Sequence, residues 1–191
     1  MLKSLLLKLR RNRHLRGRPK MVWGYKRLSD GVYLKRTRIS NSTFLDAPEG
    51  LQIADNVFVG HFNYIEATNG VTIEEGCQIT NYVTITSHSS HNSIRYYGDS
   101  YTGPEMKGYV KGKIKIGKFT FVGPHTTIMP GTDIGKGSIV AAYSYVKGDF
   151  PDFSIIAGNP AQIVGDTRDK DNEFLNDNPE LREHYDKWAS S

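Results

Sequence analysis

The segment Ile116-Gly-Lys-Phe-Thr-Phe-Val122-Gly-Pro-His-Thr-Thr-Ile128-Met-Pro-Gly-Thr-Asp-Ile134-Gly-Lys-Gly-Ser-Ile-Val140-Ala-Ala-Tyr-Ser-Tyr-Val146 carries an Ile or Val at every sixth position. If roughly a quarter of positions in an ordinary chain were Ile, Leu, Val or Phe, six consecutive hits would arise about once in several thousand trials. The residue after the apolar one is small in most repeats (Gly117, Gly123, Gly135, Ala141). Four positions after it sit Thr120, Thr126, Thr132, Ser138 and Ser144, all compact. An earlier array, Ile53, Val59 and Ile65, slips by two residues and resumes as Ile73, Ile79 and Ile85, with Val57, Asn63, Cys77 and Val83 in the compact slot.

A helix repeats at 3.6 residues and a strand at 2, so a period of six held this long fits neither alone. It fits a triangular prism in which each hexad supplies one short strand and one turn. Three hexads complete a coil, and stacked coils pair strand on strand as a parallel β-helix. The apolar and compact residues point inward. The small residue marks the corner, where glycine relieves backbone crowding. The sequence therefore predicts an all-β solenoid.

The arrays break once, between Ile85 and Ile114, where residues of about 88–113 follow no period and must leave the body as a loop. Tyr96, Tyr97, Tyr101 and Tyr109 equip that loop to pack against a ligand or a subunit. Beyond residue 165 a polar tail runs to 191, in which Asn178-Pro179 reads as an N-cap and first helical residue. Leu181, Tyr185 and Trp188 then share one face of a short terminal helix docked by Trp188.

Composition narrows the remaining choices. The 191 residues are 38% hydrophobic and 24% charged, the profile of a folded chain rather than a disordered one. A single Cys rules out a disulfide framework and a zinc ribbon. The net charge of +5 is unevenly spread. Residues 1–38 hold 13 of the 25 Lys+Arg against one acid, Asp30, whereas the rest of the chain is mildly acidic. Leu2, Leu5, Leu6 and Leu9 fall at helical spacing among the basic residues, as in an amphipathic surface helix. The opening is similar to a signal peptide, but Lys8 breaks its apolar run and basic residues replace a cleavage site. The expectation is a cytoplasmic chain of three parts: a basic arm (1–38), the solenoid (39–165) and the tail (166–191). Residues 1–20 are expected to give peripheral contact with the inner face of an anionic membrane. No recognition helix or stacking platform points to nucleic acid.

Three features together resemble the hexapeptide-repeat acyltransferases, in their galactoside, maltose and polysaccharide O-acetyltransferase branch: the hexads, the Val-Thr-Ile-Thr-Ser-His88-Ser-Ser-His91 segment opening the loop, and the closing Ala157-Gly158-Asn159-Pro160-Ala161. The resemblance covers residues 39 to 165. It implies a left-handed helix, a homotrimer, and acetyl-CoA bound as co-substrate in a cleft between subunits. One histidine takes the proton from a carbohydrate hydroxyl, which attacks the thioester directly without an acyl-enzyme. Imidazole, with an ordinary pKa near 6.5, suits that task at neutral pH.

By resemblance the base is His88, with His91 as second choice. His61, Asn63, Glu66 and His91 are assigned to the acceptor. Phe121, Gly123, Pro124, Ala141, Ala142, Lys147 and Arg168 are assigned to the cofactor. Gln162 stands where many relatives carry a basic residue for the nucleotide phosphates, and Lys147 and Arg168 are the candidates to substitute for it. His125 reads as a surface or subunit contact and Cys77 as a buried structural thiol. No metal is expected. The alternatives are N-acetylation of a nucleotide-linked amino sugar, a zinc enzyme similar to the gamma-class carbonic anhydrases, and a non-catalytic scaffold.

Overall fold

The computed structural model describes residues 17–190. The leucine-bearing basic helix expected at residues 2–9, and most of the membrane contact expected at 1–20, lie outside the described residues.

Three parallel sheets form the walls of a triangular column. Wall I stacks Ile39, Val59, Ile79, Val122, Val140 and Ile156 in register. Wall II stacks Leu45, Ile65, Ile85, Ile128 and Val146. Wall III stacks Ile53, Ile73, Ile116, Ile134 and Phe150. The hexad side chains are thus the core, nearly all of them wholly buried. The compact slot also points inward: Thr120, Thr126, Thr132, Ser138 and Ser144 are buried. Their hydroxyls donate to corner carbonyls, as Thr126 Oγ1 to Ala141 O (3.2 Å) and Ser144 Oγ to Ala141 O (2.7 Å), so no polar group is stranded there.

Glycine after the apolar residue is required by the next coil. A Cβ on Gly117 or Gly123 would lie 2.5 Å from Lys136 N or 2.6 Å from Ala142 N.

The two-residue slip is an enlarged corner between walls II and III, at residues 66–70 of the second coil. At this same corner, one coil further on, the protruding loop departs after strand Thr84–Thr86 and returns before strand Ile114–Ile116. An antiparallel ribbon, His88–Ser89 with Val110–Lys111, closes its neck, and a short helix, α1 (Ser93–Tyr97), occupies its excursion.

Both ends depart from the sequence expectation. Met21–Lys26 and Tyr33–Ser40 form an antiparallel hairpin whose second strand pairs with Phe58–Val59, so the wall begins inside the supposed basic arm. At the other end Ala161–Asp166 folds back antiparallel on Ser154–Gly158. The tail holds two helices, α2 (Thr167–Asp177) and α3 (Arg182–Ala189). Asp166 caps α2 by accepting from Arg168 N. Asn178 does not cap the following turn; its Nδ2 donates to Phe174 O and closes α2 instead. Trp188 of α3 packs between Phe119 and Phe153 (4.7 and 5.9 Å) in the gap beside Gly137.

Because Ile79 is wholly buried and lies in the middle of wall I, Ile79→Ala leaves a cavity that rigid neighbouring coils cannot collapse. A loss of about 2–5 kcal/mol is expected in denaturant unfolding.

Candidate active site

The enlarged corner and the loop neck converge on one carboxylate. Glu66 ends a wall II strand and is 1% exposed. Its Oε1 accepts from Thr68 N (2.6 Å), and its Oε2 accepts from both the backbone N and Oγ of Ser87 (each 2.9 Å). Burial by itself raises the Glu66 pKa. The hydrogen bonds from Thr68, then those from Ser87, outweigh it, and the carboxyl sits below its ordinary value of 4.5. Ser87 is pinned in turn: Asn69 N donates to its Oγ (2.9 Å), and Asn69 Nδ2 (3.2 Å) and Gly112 N (3.0 Å) donate to its carbonyl.

His88 follows directly. Its Nδ1 is enclosed by protein 2.8 Å from Glu66 Oε2, an ion-pair distance that lacks the alignment of a full hydrogen bond. The side chain is 33% exposed, and its ring stacks on Tyr109 across the neck (5.6 Å, 18°). A carboxylate beside Nδ1 favours the tautomer with the proton there, which leaves Nε2 as a lone-pair acceptor. Chemically, the pair can take a proton at Nε2 and stabilise the imidazolium that results.

The other assigned residues scatter over the three corners. His91 is exposed on the loop, with Nδ1 2.8 Å from Ser89 Oγ. His61 lies on the I–II corner, with Nδ1 2.6 Å from Ser40 Oγ. Pro124, Ala141, Ala142 and His125 belong to that corner too, and Phe121 lies on the outer face of wall I. Lys147 follows wall II on the fifth coil.

Four assigned residues have other partners or other places in this structure. Asn63 occupies the inward slot, donating to Thr80 O (2.7 Å) and accepting from Val83 N (2.7 Å), so both ends of its amide join neighbouring coils. Gly123 is buried against the coil that follows. Arg168 sits on the III–I side, held by Asp166 and lying 4.9 Å over the Phe153 ring, on a different corner from His88. Glu66 was expected on the acceptor, yet its oxygens face Thr68, Ser87 and His88.

Sequence reasoning missed Ser87, Asn69 and Thr68 as supports of the site. The two-residue slip was the signal available, since extra length at one corner of a regular coil needs a use.

Residues 113–148 match the family described as bacterial transferase hexapeptide (six repeats). These residues are similar to the repeats of that family. A chain named as a putative lipopolysaccharide biosynthesis O-acetyl transferase, WbbJ of Escherichia coli (strain K12), is 34% identical over 114 residues, 58% of each chain. The galactoside O-acetyltransferase of the same organism is 28% identical over 144 residues, 71% of this chain and 66% of its own. This chain thus spans 58% and 66% of the length of these two relatives. Among solved structures, AntD, an N-acyltransferase from Bacillus cereus in complex with dTDP and 3-hydroxybutyryl-CoA, aligns with TM-score 0.54 at 19% identity. That alignment covers 78% of this chain and 89% of AntD, and the shared property is the fold.

Two other features of the hexapeptide column lie apart from His88. A cavity of about 610 Å³ opens under α2 and α3, lined by Phe119, Phe174, Tyr185 and Trp188 among others, and includes no residue assigned to catalysis. Cys77 is fully buried, its thiol pushed up to about 12 by desolvation, with Sγ 3.0 Å from Gly117 O. Among the described residues, no three His, Cys, Asp or Glu side chains are grouped to share a metal ion.

Two measurements follow from these environments. Native protein at pH 8 should resist maleimide at Cys77 and react once unfolded. The depressed Glu66 pKa stabilises the fold fully above the ordinary carboxylate value, and that contribution is lost as pH falls through the folded value. Glu66→Gln should therefore lack this part of the acid-side decline in stability, measured by urea unfolding at pH 3 to 6.

Proposed function

We propose that this chain transfers an acetyl group from acetyl-CoA to a hydroxyl of a sugar or polysaccharide precursor, with His88 as general base. The single observation behind this reading is the His88–Glu66 pair at the loop neck. There a fully held carboxylate faces Nδ1, and the imidazole keeps exposed surface on its other side. The names of the two relatives, a putative lipopolysaccharide biosynthesis O-acetyl transferase and a galactoside O-acetyltransferase, support this choice of acyl group and acceptor class.

In this reading His88 Nε2 accepts the proton of the acceptor hydroxyl as its oxygen bonds to the thioester carbonyl carbon. Glu66 stabilises the imidazolium formed. The tetrahedral intermediate then expels the CoA thiolate, and His88 returns the proton to that sulfur, so base and acid are one residue. A backbone N–H at a corner serves the oxyanion. Cys77 has no part, because a buried thiol with a pKa of about 12 supplies no thiolate.

The co-substrate contacts fall to Phe121, Pro124, Ala141, Ala142 and Lys147. Most of these lie on the I–II corner, a wall away from His88, and so belong to the same cleft only when a second copy brings that corner against the II–III corner of the first. A homotrimer supplies this arrangement at each of its three junctions. His61 would reach the acceptor by the same route, and His91 would do so from the loop.

Thiol release from acetyl-CoA with a panel of sugars and glycolipids tests the reading. His88→Ala should lower kcat roughly 10²- to 10⁴-fold. Glu66→Gln should lower it about tenfold or more with little change in KM, whereas His91→Ala should keep kcat near wild type and raise the KM of the acceptor. Undiminished turnover by His88→Ala overturns the proposal. Hydroxylamine lability of the product separates an ester from an amide.

A further inference from the structure

The lower end of the column carries a surface that acetyl transfer does not use. Within residues 22–33 of the hairpin, Val22, Trp23, Leu28, Val32 and Tyr33 are 45–65% exposed. Leu28 and Val32 lie in the hairpin's connecting turn, between strands Met21–Lys26 and Tyr33–Ser40. One side of the Trp23 ring is covered by the Arg38 guanidinium (4.9 Å). Around these side chains stand Arg18, Lys20, Lys26 and Lys35, all exposed and without an ion pair among the described residues. By contrast, Arg27 is bound to Asp30, and Arg36 to Asp55 and Glu75. Val22 pairs with the buried Ile39 and Trp23 with Arg38, so the two point to opposite faces of the hairpin, and the group around Trp23 is Leu28, Val32 and Tyr33. Exposed apolar groups of this kind mark contact surfaces.

The composition of the patch selects its occupant. Protein interfaces are depleted in lysine at their centres, and nucleic acid gives no partner to Leu28 or Val32. A bilayer surface uses every element present. Trp and Tyr settle at headgroup depth, aliphatic side chains at a turn enter the acyl boundary, and lysines meet lipid phosphates. The chain preceding Gly17 adds six Lys+Arg, no acid, and Leu2, Leu5, Leu6 and Leu9, and it joins the body beside this same hairpin. One weak membrane signal binds marginally, whereas two in one place hold.

We propose that residues 18–35 form a docking face for an anionic bilayer, with Trp23, Leu28 and Tyr33 entering the headgroup layer and Lys20, Lys26 and Lys35 facing lipid phosphates. This goes beyond the acetyl-transfer reading and stands without it. Its corollary, that the acceptor is a membrane-borne glycan, rests on that reading. His88 lies on the third coil, about 10 Å above the first at a strand spacing of about 4.8 Å, within reach of a glycan rooted in the membrane.

The test uses the full chain with phosphatidylcholine vesicles, with and without phosphatidylglycerol, in flotation assays. The protein has two tryptophans, so Trp188→Phe leaves Trp23 as sole reporter. Expected are binding to anionic vesicles only, weakening with salt, and a blue shift of Trp23 emission on binding. Leu28→Asp, at an exposed turn, should lower partitioning about tenfold, with an unchanged thermal melt and unchanged thiol release on a soluble acceptor. Removal of residues 1–16 should weaken binding but keep the Trp23 shift. Three results overturn the proposal: anionic binding with Trp23 emission unmoved, equal binding to neutral vesicles, or a concentration-dependent shift without lipid, which would make the patch a contact between copies.

Discussion

Backbone rests directly on backbone at the corners of this solenoid. Gly117, Gly123 and Gly135 each face the following coil so closely that a methyl group would lie within 2.6 Å of its backbone nitrogen. Such contact leaves no play between coils, and the hydrogen bonds from each coil to the next, as Gly117 N to Ile134 O at 2.7 Å, fix the register. A side chain's height and wall are therefore determined by its place in the repeat. Rigidity of this kind is what a site needs when its members come from different coils. Glu66 pairs with Thr86 one rung on, so its carboxylate lies where the chain continues to Ser87 and His88.

That geometry also explains how a buried charge is tolerated. A carboxylate removed from water is costly unless hydrogen-bonded throughout. Glu66 receives three donors from backbone and hydroxyl groups that belong to the enlarged corner or to the loop neck. Every one of them depends on the two residues by which this corner exceeds a hexad or on the departure of the loop. The irregularities in the repeat are thus a single device: extra chain supplies the donors, the donors hold the carboxylate, and the carboxylate stands beside the imidazole.

The sequence made the column legible because periodicity is redundant: Ile116 to Val146 states the same rule six times, and the earlier array repeats it. What lay outside the period was harder to read. The hairpin at 21–40 has a bulge between Trp23 and Tyr25 and exposed apolar residues on an arm dominated by basic charge, so its strands gave no clean alternation. Helix α2 has only Phe174 and Leu175 as large apolar residues, with Leu175 its buried large one, too little to mark a helical stripe. The place of His88 at the loop opening was legible from the sequence. Asn63 misled, because a polar residue in an inward slot looks like a ligand contact until the carbonyl and amide of the neighbouring coil are seen to consume it. Arg168 was harder to place for another reason: a cation near a closing motif says nothing about which corner the chain has reached.

Repeat geometry and side-chain chemistry meet most directly at the I–II corner. The residue before each inward compact slot is left-handed, and on this corner it is Phe62, Tyr82, His125 and Tyr143, with φ of 59 to 61°. Glycine serves the same position at residues 76, 131 and 137. Left-handed aromatic residues cost free energy that glycine would not. They recover it from one another, since the rung spacing of about 4.8 Å matches their ring separations of 5.1, 4.9 and 4.7 Å in a continuous stack. The stack lines the corner that holds Pro124, Ala142 and His61. An exposed, stiffened aromatic edge there gives the column a face that a flexible glycine corner would not provide. Its rigidity comes from the same repeat that sets His88 beside Glu66.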